Sequence, residues 1–324
     1  MDTLMQIEVQ ITLFIQSLGA WLTTPFKAIT SLGNEDFYLL VLPALYWCID
    51  ATLGFRVGVM LVMSNSFNGY LKVLFHSPRP FWVDARVKAL TSETSFGLPS
   101  GHSQSAAAIW GIFAASVKKK WATITCIIAI FLIGLSRIYL GVHFTRDVLA
   151  GWLIGLILVV VYLLVEKPIA GWINPKSLSF KIISCFLVSL LLIGISLLFN
   201  LLFGHWQIPS AWVNQATAGG SVPDPYNQEG IFTIAGVWFG FTAGYAWLLS
   251  RKGTIVVSGS AGKRIARYLV GLVGVGIIYL GLKLIFPVSP DWLGLSLRYI
   301  RYALLGLWVA ALAPMFFEKI RLNS

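Results

Sequence analysis

The stretch HFTRDVLAGWLIGLILVVVYLLV, residues 143–165, begins with a histidine, an arginine and an aspartate and then runs from Val148 to Val165 without a charge. Crossing a hydrocarbon core about 30 Å thick takes roughly 20 apolar residues of helix. The segment therefore reads as a membrane span with ionisable groups at its mouth. Apolar runs of this kind recur, and spans are expected at Phe37–Leu53, Phe55–Phe75, His102–Val117, Trp121–Leu140, Phe144–Val165, Phe180–Phe203, Ile231–Leu249, Tyr268–Phe286 and Leu297–Phe317. Arg56, Asn65, Asn68 and Lys72 interrupt the second of them. Ahead of the first, Ile7, Ile11, Phe14, Leu18 and Leu22 recur at helical spacing with Gln6, Gln10 and Ser17 between them. That pattern predicts an amphipathic helix lying in the interface or against the bundle. The expected fold class is all-α: a polytopic helical membrane protein of about nine spans plus an N-terminal amphipathic helix.

Composition agrees. Only 11% of the 324 residues are charged and 57% are hydrophobic, whereas a soluble domain carries roughly 25% charged residues. The 13 Trp and 11 Tyr suit a chain with many water–lipid boundaries. A formal charge of +11 would suit nucleic acid, but the basic residues fall in short clusters between apolar runs. That distribution marks membrane topology, and no nucleic-acid partner is expected. Cys48, Cys126 and Cys185 stand far apart inside apolar runs, which provides neither a disulfide framework nor a metal cage. A basic region followed by a small-residue cleavage site is missing at the start, so no cleaved signal peptide is expected.

With the first span crossing inward and the rest alternating, one side receives Lys118–Lys120, Lys167, Lys176, Lys181, Arg251, Lys252, Lys263, Arg264, Arg267, Lys319 and Arg321. The positive-inside rule makes that side cytoplasmic, C-terminus included, in a cell (inner) membrane. Three segments then end on the outer side. They are KVLFHSPRP (Lys72–Pro80), PSGH (Pro99–His102) and SRIYLGVHFTRD (Ser136–Asp147).

Together these segments hold the parts of a phosphoryl-transfer site. Lys72, Arg79 and Arg137 are cations, and the two guanidinium forks suit phosphate oxygens. Ser100 adds a hydroxyl, and the amides of Gly101 and His102 open a helix, where anions are favoured. His143 and Asp147 share a helical face at four-residue spacing. The carboxylate can hold one ring nitrogen of His143 and leave the other free as a nucleophile. His102 is left as general acid–base, with an ordinary pKa of about 6.5 that suits the task. No carboxylate cluster accompanies the histidines, so neither a metal nor another cofactor is expected.

Each fragment alone has a plainer reading. Arg-Pro or Ser-Gly-His can be a helix boundary, and Lys72 alone can snorkel to the interface. Arg137 alone can be a topology residue, and His143 with Asp147 a structural pair. His76 and His205 have no partners in sequence and read as interfacial. Ser100 is not a hydrolase nucleophile, because the Gly-x-Ser-x-Gly elbow is missing. Ionisable groups inside a membrane are expensive, however, and usually functional.

The pattern Lys-x6-Arg-Pro, Pro-Ser-Gly-His and Ser-Arg-x5-His-x3-Asp resembles the three-part signature of the type 2 phosphatidate phosphatase superfamily. That group includes lipid phosphate, undecaprenyl diphosphate and sphingosine phosphate phosphatases. The resemblance covers about residues 1–170, and GNEDFY at Gly33–Tyr38 is a weaker cue toward the sphingosine phosphate branch. It implies that His143 forms a phosphohistidine and that His102 protonates the leaving alkoxide. It also implies a six-helix core with the first signature after the third helix, so the N-terminal helix here stands where a first span would.

The expected organisation is thus a catalytic helical core over residues 1–170 and additional membrane helices of unassigned role over 171–324. The expected function is hydrolysis of a membrane lipid phosphate or diphosphate at the outer leaflet. A lipid phosphotransferase would use the same residues, with an alcohol in place of water. An anion or lipid transport protein could line a path with the three cations, but would not need paired histidines with a carboxylate. Gly236, Gly240 and Gly244 line one helix face and suit close packing, within the chain or in a homodimer through the C-terminal spans. The outer loop Gly204–Gly230, with Asp224, Tyr226 and Glu229, is long enough to lean over the catalytic mouth or to pack on neighbouring loops.

Overall fold

The computed structural model describes residues 3–322 apart from 254, 256 and 288. Among the described residues there is no strand. The helices are α1 (Thr3–Ser17), α2 (Thr23–Ser31), α3 (Glu35–Ala44), α4 (Ala51–Phe75), α5 (Pro80–Val83), α6 (Gly101–Val117), α7 (Lys120–Tyr139) and α8 (Thr145–Ile173). They continue with α9 (Leu178–Phe203), α10 (Ser210–Ala218), α11 (Glu229–Lys252), α12 (Ala261–Gly276), α13 (Leu282–Ile285), α14 (Trp292–Leu307) and α15 (Ala313–Lys319).

Among the described residues six helical runs are long and apolar enough to cross a membrane: α7, α8, α9, α11, Ala261–Ile285 and Trp292–Lys319. The chain is thus an integral membrane protein. The six runs fall on the last six expected spans. The first three do not reach the same standard. Asp36–Ile49 is apolar but short, α6 has 17 residues, and α4 carries Arg56, Asn65, Asn68 and Lys72 along its length. The count of nine is therefore not confirmed by length and composition.

Two compact units alternate along the sequence. One comprises Met1–Phe37, Met63–Val161 and Leu197–Asn227; the other Tyr38–Val62, Tyr162–Ser196 and Gln228–Ser324.

The first unit is organised around α6, which after Gly101 and His102 runs through small and polar residues from Ser103 to Ala108. Small side chains let neighbouring backbones approach closely. A Cβ on Gly151 of α8 would lie 2.7 Å from the Ser100 carbonyl, and one on Gly155 would lie 2.5 Å from that of Gln104. On the α4 side the contact is polar. Asn68 donates to the Pro99 carbonyl (3.1 Å) and to Gln104 Oε1 (3.0 Å), while Gln104 donates to the Ser64 carbonyl at 2.8 Å. These contacts bring the mouth of α8 and the last turns of α4 to the start of α6.

The N-terminal helix forms as its periodicity predicts. Its apolar stripe points outward, with Phe14 67% and Ile7 53% exposed, while Glu8 and Thr12 are buried. Gln16 Nε2 donates to the carbonyls of Lys88 (2.8 Å) and Tyr139 (2.9 Å), and the Lys88 amide donates back to Gln16 Oε1. The Arg146 amide donates to Glu8 Oε1 at 2.8 Å. The inward side is mixed: Val9, 1% exposed, is buried beside Glu8 and Thr12, while Gln6, Gln10 and Ser17 are exposed with the stripe.

In the second unit α11 packs on α14 through the glycine face. A Cβ on Gly236 would stand 2.4 Å from the Tyr299 carbonyl, and one on Gly240 1.8 Å from that of Ala303. The glycines are therefore used inside the chain. Gly240→Ala is expected to cost on the order of 1–3 kcal/mol, the usual penalty for overpacking, because backbone cannot yield as a side chain would. Gly276→Ala, with nothing near its Cβ position, is expected to be neutral or stabilising. Thermal unfolding of the two variants in the same detergent checks the contrast; equal melting temperatures would refute it.

Candidate active site

His143 is set between Val142 and Phe144, both fully buried in an apolar cluster with Phe81, Trp82, Phe96, Tyr139 and Leu140. Large rigid side chains on either side fix the backbone that carries the imidazole. The side chain of His143 is itself buried, with Nδ1 3.4 Å from Asp147 Oδ2. The same carboxylate oxygen accepts from the Phe144 amide at 2.9 Å. The opposite ring nitrogen, Nε2, lies 3.2 Å from Nη1 of Arg79. One nitrogen thus faces the carboxylate and the other faces a cation. Burial, and then the charges of Arg79, Arg137 and Lys72, hold the His143 imidazole well below its ordinary value. That shift favours the neutral ring, the form of an imidazole that can act as a nucleophile.

Arg79 is fully buried and saturated with partners. Its Nε donates to the Ser95 carbonyl (2.6 Å), Nη1 to the Val142 carbonyl (2.8 Å), and Nη2 to Glu93 Oε2 (3.1 Å) and the Phe96 carbonyl (3.2 Å). Lys72 Nζ donates to Ser95 Oγ at 2.7 Å. Arg137 donates through Nη1 to Thr30 Oγ1 at 2.9 Å and through Nη2 to Glu93 Oε1. Its buried Nε–H finds no acceptor among the described residues. Orphaned buried donors are rare in proteins and call for an explanation.

Ser100 is the N-cap of α6, its Oγ accepting from the Ser103 amide at 3.4 Å and the Ser103 hydroxyl at 2.9 Å. Its own amide donates to the Asp147 carbonyl at 2.9 Å, which ties PSGH to the start of α8. Gly101 packs on the Asn68 amide, with its Cβ position 3.0 Å from Oδ1. His102 lies within electrostatic reach of Arg137, Glu93, Lys72 and Arg79. Its Nε2 is 2.8 Å from Asn34 Oδ1, and a Cβ on Gly33 would crowd its ring at 2.9 Å. An amide oxygen can only accept, so the proton sits on Nε2.

The structure thus brings Lys72, Arg79, Ser100, Gly101, His102, Arg137, His143 and Asp147 into one unit. It adds two residues that sequence reasoning passed over. Asn34 was visible only as part of GNEDFY. Glu93 sits in the polar run TSETS, where no motif spacing marks it. Its carboxylate bridges Arg79 and Arg137. Burial alone would push that carboxyl up, but Arg79, Arg137 and Lys72 together outweigh it and hold it well below the usual carboxylate range. Three cations against the single carboxylate of Asp147 in the motifs were the available signal.

Segment 204–227 packs onto this region. The Asp224 amide donates to the Thr94 carbonyl at 2.9 Å, and Ser221 Oγ lies 3.0 Å from Ser92 Oγ. His76, read from sequence as interfacial, instead packs among Phe96, Trp206 and Tyr226.

A helical membrane scaffold with this constellation at its helix mouths has the features of a membrane-integrated phosphatase. A family model described as PAP2 superfamily matches residues 53–170, and one described as PAP2 superfamily phosphatase, transmembrane extension, matches 232–324. The chain is 31% identical over 151 residues to phosphatidylglycerophosphatase B of Bacillus subtilis (strain 168), covering 43% of this chain and 72% of that one. To sphingosine-1-phosphate phosphatase 1 of Mus musculus it is 26% identical over 181 residues, covering 51% of this chain but only 39% of the relative. Among solved structures, the PAP2 type phosphatidylglycerolphosphate phosphatase from Bacillus subtilis aligns with a TM-score of 0.45 and 26% identity, covering 52% of this chain and 89% of that one. The chain belongs to the PAP2 superfamily of phosphatases.

Proposed function

We propose that the protein hydrolyses a lipid phosphomonoester or diphosphate through a phosphohistidine, without a metal, at the extracytoplasmic face of a cell membrane. The observation that carries this reading is the neutral, buried His143, with Asp147 behind one nitrogen and Arg79 before the other. Nε2 attacks phosphorus while the phosphate oxygens lie on Arg79, Arg137 and Lys72. The unmet Nε–H of Arg137 supplies a further donor for an equatorial oxygen. His102 enters as the imidazolium and gives one ring proton to the departing ester oxygen, becoming the neutral ring. It then takes one from the water that attacks phosphohistidine, which releases inorganic phosphate and restores both rings. Most of the acceleration in such chemistry comes from positioning and charge stabilisation. The substrates in the relatives' names, phosphatidylglycerophosphate and sphingosine-1-phosphate, define the class to assay first.

Among the described residues no three His, Cys, Asp or Glu side chains are grouped to hold a metal. Phosphate release from phosphatidate, sphingoid phosphate, phosphatidylglycerophosphate and polyprenyl diphosphate is therefore expected to survive thorough chelation. Vanadate is expected to inhibit as a five-coordinate mimic. Activity lost to chelator and restored by one specific metal would overturn the mechanism.

In this reading the chain crosses the membrane nine times, with Asp36–Ile49, α4 and α6 as the shorter or more polar crossings around the site, and its C-terminal end is cytoplasmic. A cysteine at Ser92, which is exposed, is expected to label with an impermeant reagent in intact cells. One at exposed Lys119 is expected to label only after permeabilisation. The reverse pattern would invert the orientation.

A further inference from the structure

The two guanidinium groups assigned to phosphate already hold an anion, the carboxylate of Glu93, one oxygen on each arginine. Arg79 and Arg137 are almost fully buried, whereas the Glu93 side chain is 20% exposed. The carboxylate thus covers the water-facing side of the pair. It is held there through its backbone: the Glu93 amide donates to Ser221 Oγ at 3.3 Å, beside the bond between the Asp224 amide and the Thr94 carbonyl.

A membrane enzyme with three clustered cations faces a competition problem. Ordinary phospholipids are phosphodiesters carrying one negative charge on phosphate, and they vastly outnumber any phosphomonoester. A bare cationic pocket would fill with them. With Glu93 in place, a phosphodiester can only exchange one negative charge for another, and the group it displaces is tethered and returns at high effective concentration. A phosphomonoester carries about −1.5 to −2 at neutral pH. It gains the extra charge, and it has a third oxygen for the Arg137 Nε–H that a carboxylate leaves unmet.

We propose that Glu93 is an internal counter-anion that makes the site selective for dianionic phosphate head groups over phosphodiester lipids. The proposal rests on the reading above that Arg79 and Arg137 bind phosphate. It makes Glu93 a specificity-determining residue rather than a catalytic one, and it makes Ser221 the residue that keeps the carboxylate in register.

The test compares the wild-type protein with Glu93→Gln, which keeps the shape and removes the charge. In mixed micelles, phosphatidate turnover is measured against dioleoyl phosphatidylglycerol as a phosphodiester competitor. The inhibition constant for phosphatidylglycerol is expected to fall about tenfold or more in the variant, with KM for phosphatidate unchanged or lower. Ser221→Ala should shift it the same way by less. A merely structural strut predicts the opposite: looser arginines, a higher KM and no gain in phosphatidylglycerol affinity, which would overturn the proposal. Should Glu93→Gln not turn over, the same comparison is made by displacing bound radiolabelled phosphate with phosphatidylglycerol in a His143→Ala background, with the same two outcomes. Vanadate inhibition of the wild-type protein separates the two levels. If vanadate fails to inhibit, the phosphate-site reading falls and this proposal with it. If vanadate inhibits but phosphatidylglycerol affinity does not change, only the role of Glu93 falls.

Discussion

Replacing His143 by alanine is expected to reduce phosphate release by about 10⁴-fold or more, the order of loss seen when the nucleophile of a catalytic triad is removed. No other side chain in the unit combines the required features. The imidazole is neutral because burial and its cationic neighbours keep it so. It is oriented because Asp147 Oδ2 lies at Nδ1, and Nε2 points to Arg79, where a phosphate would be drawn. In samples denatured rapidly at alkaline pH the wild-type protein should carry base-stable, acid-labile label from a ³²P substrate, and His143→Ala should carry none. A variant that still turns over normally would exclude the phosphohistidine route outright.

His102→Ala is expected to slow turnover by about 10² to 10⁴-fold, the usual contribution of a positioned general acid–base, while sparing phosphate affinity. The loss should depend on the leaving group. An alkoxide departs poorly without a proton, whereas p-nitrophenolate departs unaided, so the gap between wild type and variant should narrow on p-nitrophenyl phosphate. Asn34 Oδ1 accepts from His102 Nε2 at 2.8 Å and orients the ring. Equal losses on both substrates would mean that His102 acts through structure and not through its proton.

Much of the site was legible in the sequence because its chemistry demands particular residue types at fixed helical offsets. The four-residue step from His143 to Asp147 set the two side by side, although His143 precedes α8, and Ser100 ahead of Gly101 caps α6. Glu93 was not legible, since a loop residue that meets its partners through tertiary folding leaves no periodicity behind. The six spans from α7 onward stood out because nothing but apolar content is asked of them. Asp36–Ile49, α4 and α6 were harder to judge. They trade apolar length for function: Lys72 serves the site, and Asn68 and Gln104 form the polar contact that seats α6 against α4. In α1 the stripe of Ile7, Ile11, Phe14 and Leu18 was readable, but the mixed buried side of Glu8, Val9 and Thr12 was not, because its partners come from distant segments.

The outward stripe of α1 bears on how the enzyme is made. The buried polar groups of α1 are met by Lys88, Tyr139 and Arg146, all far downstream of it. At typical rates of translation the wait between making α1 and making Arg146 is on the order of ten seconds. The partners arrive in turn: Lys88 and Tyr139, which receive Gln16, come first, and the Arg146 amide that meets Glu8 comes last. The contact that ties α1 to the start of α8, beside Asp147, is therefore a late one in synthesis.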